Sequence, residues 1–218
     1  MKVATEAPGF QVPRLLGTKI INVHESPKEC IMMSHIPGRP LSEVWPELNI
    51  TEKHRMAQRL RDVLRAIRAV PQPPKEAGQI MSCDGGPIRL FVPMTIGSIQ
   101  GGPFNDEGAL NNWLVSRLKR APLAMRTAFE ETLNTKTHSI VFTHGDLNLS
   151  NIIVNDEDKS LVVLDWGYAG WLPEWVEYAR FLTFNHRETD IANYAGEIFE
   201  KPYSSEVVNW MALGYYLL

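Results

Sequence analysis

The sequence predicts an α+β fold, and three observations carry that reading. Short β-branched runs lie near the N-terminus, a helix-period apolar pattern covers residues 51–70, and a later two-strand hairpin is inserted among helical stretches. At 218 residues the chain is long enough for one large domain or two small ones. Its 44% hydrophobic and 22% charged content is that of a globular protein rather than a disordered or fibrous one. A net charge of -3 gives no broad attraction to nucleic acid or to an anionic membrane. No stretch approaches the ~18 apolar residues that span a bilayer, and "MKVATEAPGF" has no signal-peptide core. A cytoplasmic protein is expected, with no nucleic-acid or membrane partner. Cys30 and Cys83 make neither a disulfide framework nor a metal-ligand pair by spacing and read as reduced thiols.

The elements follow in order. "LLGTKIINV" (15–23) and "CIMM" (30–33) flank the polar turn "HESPKE" and read as a β-hairpin. "SHIPGRPLSEVWPELN" (34–49) carries Pro and Gly residues that mark a linker-like strand exit. Over 51–70, Met56, Leu60, Val63, Leu64, Ile67 and Val70 recur every three or four residues, one face of an amphipathic helix that Pro71 closes. Arg55, Arg59, Arg61, Arg65 and Arg68 fall mostly off that face, as a solvated surface or else an anion site. Residues 71–108 read as a long ordered loop with one short strand near "IRLFV". Its "GSIQGG" fails as a phosphate cradle, because no Lys-Ser/Thr pair follows the glycines. Helices are expected over 107–119 and 122–134, then strands at 139–142, 152–154 and 161–166, with "NDEDKS" as the turn of the last pair. "WMALGYYLL" (210–218) reads as a terminal helix packed on the domain or as a helix cut short.

The polar string "FTHGDLNLSNIIV" (142–154) is where chemistry enters. Asn151 precedes the first strand of the 152–166 hairpin and Asp165 ends the second, so antiparallel pairing brings an amide oxygen and a carboxylate together. Asp146 lies five residues before Asn151. A hard cation such as Mg²⁺ takes oxygen ligands, and a second acid not spent on the metal can accept a proton from a hydroxyl. Those are the needs of phosphoryl transfer. A glycosidase-like carboxylate pair would also place two acids near one point, but nothing else in the chain supports it. A metal hydrolase would need a His/Asp ligand cluster that the sequence lacks.

The strings "HGDLNLSN" and "DWG" match the Asp-x-x-x-x-Asn and Asp-aromatic-Gly spacing of kinase-type catalytic loops. With "GYAGWLPEWVEYARF", "IMMSHIPGRPLSEVWPEL", "SCDGGP" and "GPF", they resemble the aminoglycoside phosphotransferase and choline kinase superfamily, in particular its fungal-type small-molecule kinases. The resemblance covers most of residues 10–200 and implies a protein-kinase-like fold. Residues 1–33 would be an N-lobe remnant holding the hairpin, 34–49 the hinge, and 50–218 a mostly helical C-lobe with the catalytic β-hairpin. It implies an ATP-dependent phosphotransferase acting on a hydroxyl of a small molecule. Asp146 would be the base, Asn151 and Asp165 the Mg²⁺ ligands, and Ser34, His35 and Ile36 the hinge that meets adenine. His144 would be a packing residue. Asn148 stands where relatives often carry His. Glu174 and Glu177 lie where the family builds its acceptor pocket, although Glu177 could instead brace the catalytic loop. Trp166, Trp171 and Trp175 would line that pocket or pack the core.

Only 33 residues precede Ser34, room for a hairpin and a scrap of helix. The Gly-rich loop, the phosphate-binding Lys and the helix Glu that such a lobe supplies are not found in them. The chain is therefore expected to be N-terminally truncated and to bind Mg²⁺-ATP weakly or not at all. Three readings stay open: a fragment of a small-molecule kinase, a short form that binds a ligand or partner without transfer, and a C-lobe repurposed for other small-metabolite chemistry. A short hairpin with an open edge would also invite a partner chain or a second copy.

Overall fold

The structure, a computed structural model, describes residues 9–23, 26–93, 97–185 and 190–217. Strands β1 (Leu15–Val23) and β2 (Ser26–Met33) form an antiparallel hairpin, and their two-stranded sheet pairs with no other named strand. Of the expected turn "HESPKE", the last four residues are strand, and His24 and Glu25 lie outside the described residues. Polar residues fit in β2 because the hairpin is exposed on both faces. Leu16, Ile20, Ile31 and Met32 are exposed alongside Lys19 and Lys28.

The segment read as a linker is largely folded. It supplies β3 (Gly38–Pro40), helix α1 (Leu41–Val44) and a 3₁₀ turn over Trp45–Glu47, with Leu41 and Trp45 fully buried. Pro40 is tolerated because β3 is an edge strand. Helix α2 (Ile50–Arg68) begins at a reciprocal cap: Asn49 accepts from the Glu52 N–H at 3.0 Å, and the Glu52 carboxylate accepts from the Asn49 N–H at 2.9 Å. Met56, Leu60, Leu64 and Ile67 are buried as the periodicity predicts, with Val63 and Val70 at the rim of the core. Of the arginine row, Arg55, Arg59 and Arg65 are exposed, as on a solvated face, while several members also reach partners far along the chain. Arg61 donates to the Gly196 carbonyl, Arg65 pairs with Glu200 at 2.6 Å and Arg68 donates to the Glu174 carbonyl. Their long stems reach past the apolar stripe and dock the 174–200 region onto α2.

Within 71–108 lie β4 (Met81–Ser82), β5 (Ile88–Phe91) and β6 (Ser98–Gly101). Strands of two to four residues, broken by Pro and Gly, are too short to show a period. Helices α3 (Glu107–Arg117) and α4 (Leu123–Leu133) follow, then β7 (Ile140–Thr143), β8 (Ile152–Asn155), β9 (Leu161–Val163) and β10 (Gly170–Pro173). The sheets are ordered β3-β8-β9 and β4-β10-β7, with β5-β6 as a separate hairpin. β10 is absent from the sequence-based expectation, because Gly170 and Pro173 argue against a strand. It is nevertheless the central one, and a Cβ on Gly170 would lie 2.3 Å from the Met81 carbonyl. Helices α5 (Trp175–Asn185), α6 (Ala195–Ile198) and α7 (Ser204–Tyr216) complete the described chain. In α7, Trp210 and Leu213 are buried while Val208, Met211 and Tyr215 are exposed. No helix among the described residues is long and apolar enough to cross a membrane.

Candidate active site

The loop between β7 and β8 hangs from one helix. Glu177, in the first turn of α5 and 2% exposed, accepts backbone N–H groups from His144 at 2.7 Å, Gly145 at 3.2 Å and Leu147 at 3.3 Å. One turn on, Arg180 donates from Nε at 3.0 Å and Nη2 at 2.6 Å to Asp146 Oδ1. At the end of the helix, Asn185 accepts from the Leu149 N–H at 3.3 Å. Residues 177, 180 and 185 are spaced by three and five, near enough to one helical face to meet one loop. Gly145 takes φ +80° in this loop, and a Cβ there would lie 2.5 Å from the Tyr168 carbonyl.

Inside the loop, Asn148 caps the 3₁₀ turn over Leu149–Asn151. It accepts from the N–H groups of Ser150 and Asn151, and its amide donates to Asp146 at 3.3 Å. Its amide is thus occupied on both sides within the loop. Asn151 donates from Nδ2 to the Asp146 carbonyl at 3.0 Å and to Asp146 Oδ2 at 3.2 Å. Its Oδ1 accepts no hydrogen bond among the described residues, so an oxygen of the right type is left over for a cation.

The β8–β9 ladder pairs Ile152 with Val163, and beyond it the Leu164 N–H donates to the Asn151 carbonyl at 2.8 Å. The hairpin therefore sets Asp165 one residue past the partner of Asn151. Asp165 has φ +56°, a left-handed conformation that ends β9 three residues before the expected boundary. Its carboxylate is exposed, and its one hydrogen bond, from the Gly167 N–H, is long at 3.4 Å. An exposed carboxylate and an amide oxygen without a hydrogen bond, set on neighbouring ends of one hairpin, are donor types that suit a hard cation. His144, fully buried, joins the two loops. Nδ1 accepts from the Asp146 N–H at 3.2 Å and Nε2 donates to the Leu164 carbonyl at 2.7 Å.

A cleft of about 400 Å³ adjoins Trp166–Ala169, walled by the 82–87 turn, Arg89 and Gln100. "SCDGGP" and the β5–β6 hairpin thus border the Asp165 loop. Burial pushes the Cys83 thiol up to about 11, and it donates to the Ala169 carbonyl, so it is an inert wall rather than a nucleophile. Of the three tryptophans, Trp166 borders this cleft. Trp171 is buried in β10 against Phe142, and Trp175 is buried with its indole N–H on Glu107. Glu174 pairs with Lys201 at 3.3 Å. At the expected hinge, the Ser34 N–H and hydroxyl are engaged by Arg14, while the backbone groups of His35 and Ile36 have no partner among the described residues. Arg180 and Asn185 escaped sequence reasoning. The available signal was a pair of polar residues following a buried acid along one face of an apolar helix.

Solved structures similar to this fold include phosphotransferases. They include a thermostable mutant of aminoglycoside phosphotransferase APH(4)-Ia in a ternary complex with ADP and hygromycin B, at 16% identity and TM-score 0.59, covering 95% of this chain and 68% of that one. Another is ADP-bound aminoglycoside phosphotransferase APH(2'')-Ib, at 14% identity and TM-score 0.55, covering 97% and 67%. A third is the apoenzyme of macrolide 2'-phosphotransferase MphH from Brachybacterium faecium, at 18% and 0.53, covering 99% and 70%. These likenesses show a shared protein-kinase-like fold. No curated protein matches the chain by sequence. The APH model, described as a phosphotransferase enzyme family, matches residues 1–202, and with so much of the chain matched, this protein belongs to that family.

Proposed function

We propose that the chain transfers the γ-phosphate of ATP to a hydroxyl of a small molecule, with weak nucleotide affinity. The observation that supports this best is the convergence at the β8–β9 hairpin. Asp146 is fixed by Arg180, Asn148 and Asn151, and Asp165 is presented one residue past the partner of Asn151. In this reading Asp146 orients the acceptor hydroxyl and takes its proton. Asn151 Oδ1 and the Asp165 carboxylate would hold Mg²⁺, which supplies charge neutralisation for the phosphates. The unpaired backbone of His35 and Ile36, with Ser34 before them, would meet adenine. The cleft beside Trp166 would take the acceptor, and its mixed polar wall of Asp84, Arg89 and Gln100 fits a hydroxylated, polar molecule. Asn148 and Glu177 would act by bracing the loop, with Glu174 and Trp171 further from the reacting atoms. The half-buried free thiols Cys30 and Cys83 fit a reducing, cytoplasmic setting.

A thermal-shift titration tests the reading. Mg²⁺-ATP at 100-fold its Kd should stabilise the chain by about 2.7 kcal/mol. Asp165→Ala should abolish the shift, and a shift unchanged in that variant would refute the metal assignment. One observation favours a second reading, a binding module without transfer: the β1–β2 hairpin is exposed on both faces and joins no other sheet. No shift at any attainable ATP concentration would select it. In either reading the bare hairpin is suited to a second copy of the chain, which sedimentation would detect as a dimer.

A further inference from the structure

We infer that Arg180 is the residue that positions the base, and that it leaves Oδ2 of Asp146 as the oxygen that accepts the acceptor's proton. The inference rests on the reading of Asp146 as base. Three donors fall on Oδ1: Arg180 Nε at 3.0 Å, Arg180 Nη2 at 2.6 Å and the Asn148 amide at 3.3 Å. A carboxylate oxygen offers about two lone-pair sites, so Oδ1 has no capacity left. Among the described residues Oδ2 receives the Asn151 amide alone, at 3.2 Å, and keeps a site open. Which oxygen does the chemistry is therefore decided by which one the guanidinium holds.

The guanidinium is itself held. Its carbon lies 3.9 Å from the centre of the Phe91 ring and 4.3 Å from that of Phe184. Phe184 is four residues along α5, and Phe91 comes from the β5–β6 hairpin. On its other side Phe91 stacks on Tyr168 at 4.0 Å, three residues past Asp165. A column Tyr168–Phe91–Arg180–Phe184 thus runs from the Asp165 loop to the base. A planar, forked cation fits both demands, stacking between rings while its Nε and Nη2 donors converge on one oxygen. A lysine ammonium lacks the planar fork and cannot stack between the rings in this way. A buried ion pair is weak evidence for a stabilising role. Here the pair falls on the acid that the loop geometry isolates for chemistry.

The test uses the full chain with Mg²⁺-ATP as donor and water as acceptor, following ADP release. Arg180→Ala should lower kcat about 100-fold, the scale of a misplaced reacting group, with KM for ATP unchanged. Arg180→Lys should recover little. Added guanidinium ion, below the concentration that unfolds the chain, should restore turnover in Arg180→Ala but not in Asp146→Asn. Wild-type turnover in Arg180→Ala, full recovery in Arg180→Lys, or no restoration by guanidinium would each overturn the inference. A wild-type chain that releases no ADP would instead count against the phosphotransferase reading. Nitrogen-15 NMR of the same chain then decides the positioning claim. The Arg180 Nε–H should exchange slowly and be ring-shifted by Phe91 and Phe184, and it should lose both properties in Asp146→Asn. A freely exchanging signal in the wild type would overturn it.

Discussion

His144 donates from Nε2 to the carbonyl oxygen of Leu164 at 2.7 Å, a side-chain tie between the loop that carries Asp146 and the strand end that carries Asp165, beside the backbone bond from the Leu164 N–H to the Asn151 carbonyl. The ring has no route to solvent and packs edge-on to Trp166, with centroids 4.7 Å apart. Its other nitrogen takes the Asp146 N–H, so both nitrogens of the imidazole are spent on the backbone of the two segments that carry the acids. His144→Ala would strand a buried N–H and a buried carbonyl. The unmade bonds alone should cost about 1–3 kcal/mol, read as a lower urea midpoint with an unchanged slope. A variant as stable as the parent would show that the two loops keep their spacing by other means.

Glu177 separates bracing from substrate binding. It accepts three backbone N–H groups from a position with almost no exposure, and one partner, Gly145, lies directly before Asp146. Glu177→Gln keeps the shape but turns an acceptor oxygen into a donor against N–H groups. A loss of about 1.5–3 kcal/mol is expected, the worth of hydrogen bonds to a charged group. Glu177→Ala should lose more. Denaturant unfolding checks both. If Glu177 bound the acceptor instead, both variants would keep their stability and only substrate affinity would fall.

The β7–β8 loop was legible because its polar residues stand at fixed intervals between two apolar strands, and a hairpin leaves little choice about where Asn151 and Asp165 end up. Helix α2 was legible through its period and cap. What was hidden depended on tertiary placement. In "EWVEYARFLTFN", Arg180 looks like any helix charge, and only the seating of α5 against the loop turns it toward Asp146. β10 was masked by Gly170 and Pro173, residues present because the Met81 backbone approaches closely and because the strand ends there. The arginines of α2 looked solvated because their partners, Gly196, Glu200 and Glu174, lie more than 100 residues away.

Acid should loosen the seam between α2 and the segment following α5. Lys53 lies 2.9 Å from Asp190 Oδ2, and the Trp45 indole donates to Oδ1 at 2.7 Å. The Lys53 bond first, then the indole, hold the Asp190 carboxyl below the usual carboxylate range. Because the folded-state value is the depressed one, the stabilisation is complete above the unfolded-state value of about 3.9. It disappears as pH falls through the folded-state value. The carboxylate is half exposed, so screening keeps the effect small. Asp190→Asn should be less stable than the parent at pH 7, with the gap closing toward pH 3. A gap of equal size at both pH values in thermal melts would assign the loss to shape rather than charge.

Gly145 offers a test of the loop that changes no polar group. Its φ of +80° disfavours any residue with a Cβ, and the added carbon would lie 2.5 Å from the Tyr168 carbonyl, a backbone atom with no rotamer to yield. Either the loop shifts away from the Asp165 strand or the 166–169 turn is pushed outward. Both movements break the Glu177 and His144 bonds that register Asp146. Gly145→Ala should therefore cost at least the roughly 1–2 kcal/mol of a left-handed L-residue, measured by urea unfolding. It should also remove any Mg²⁺-ATP thermal shift the parent shows. Gly78, with φ +84° and open space for 4 Å around an added Cβ, supplies the control. Gly78→Ala should show the conformational cost alone and keep the nucleotide response. Equal losses in the two variants would mean that the contact between Gly145 and Tyr168 adds nothing to the conformational penalty.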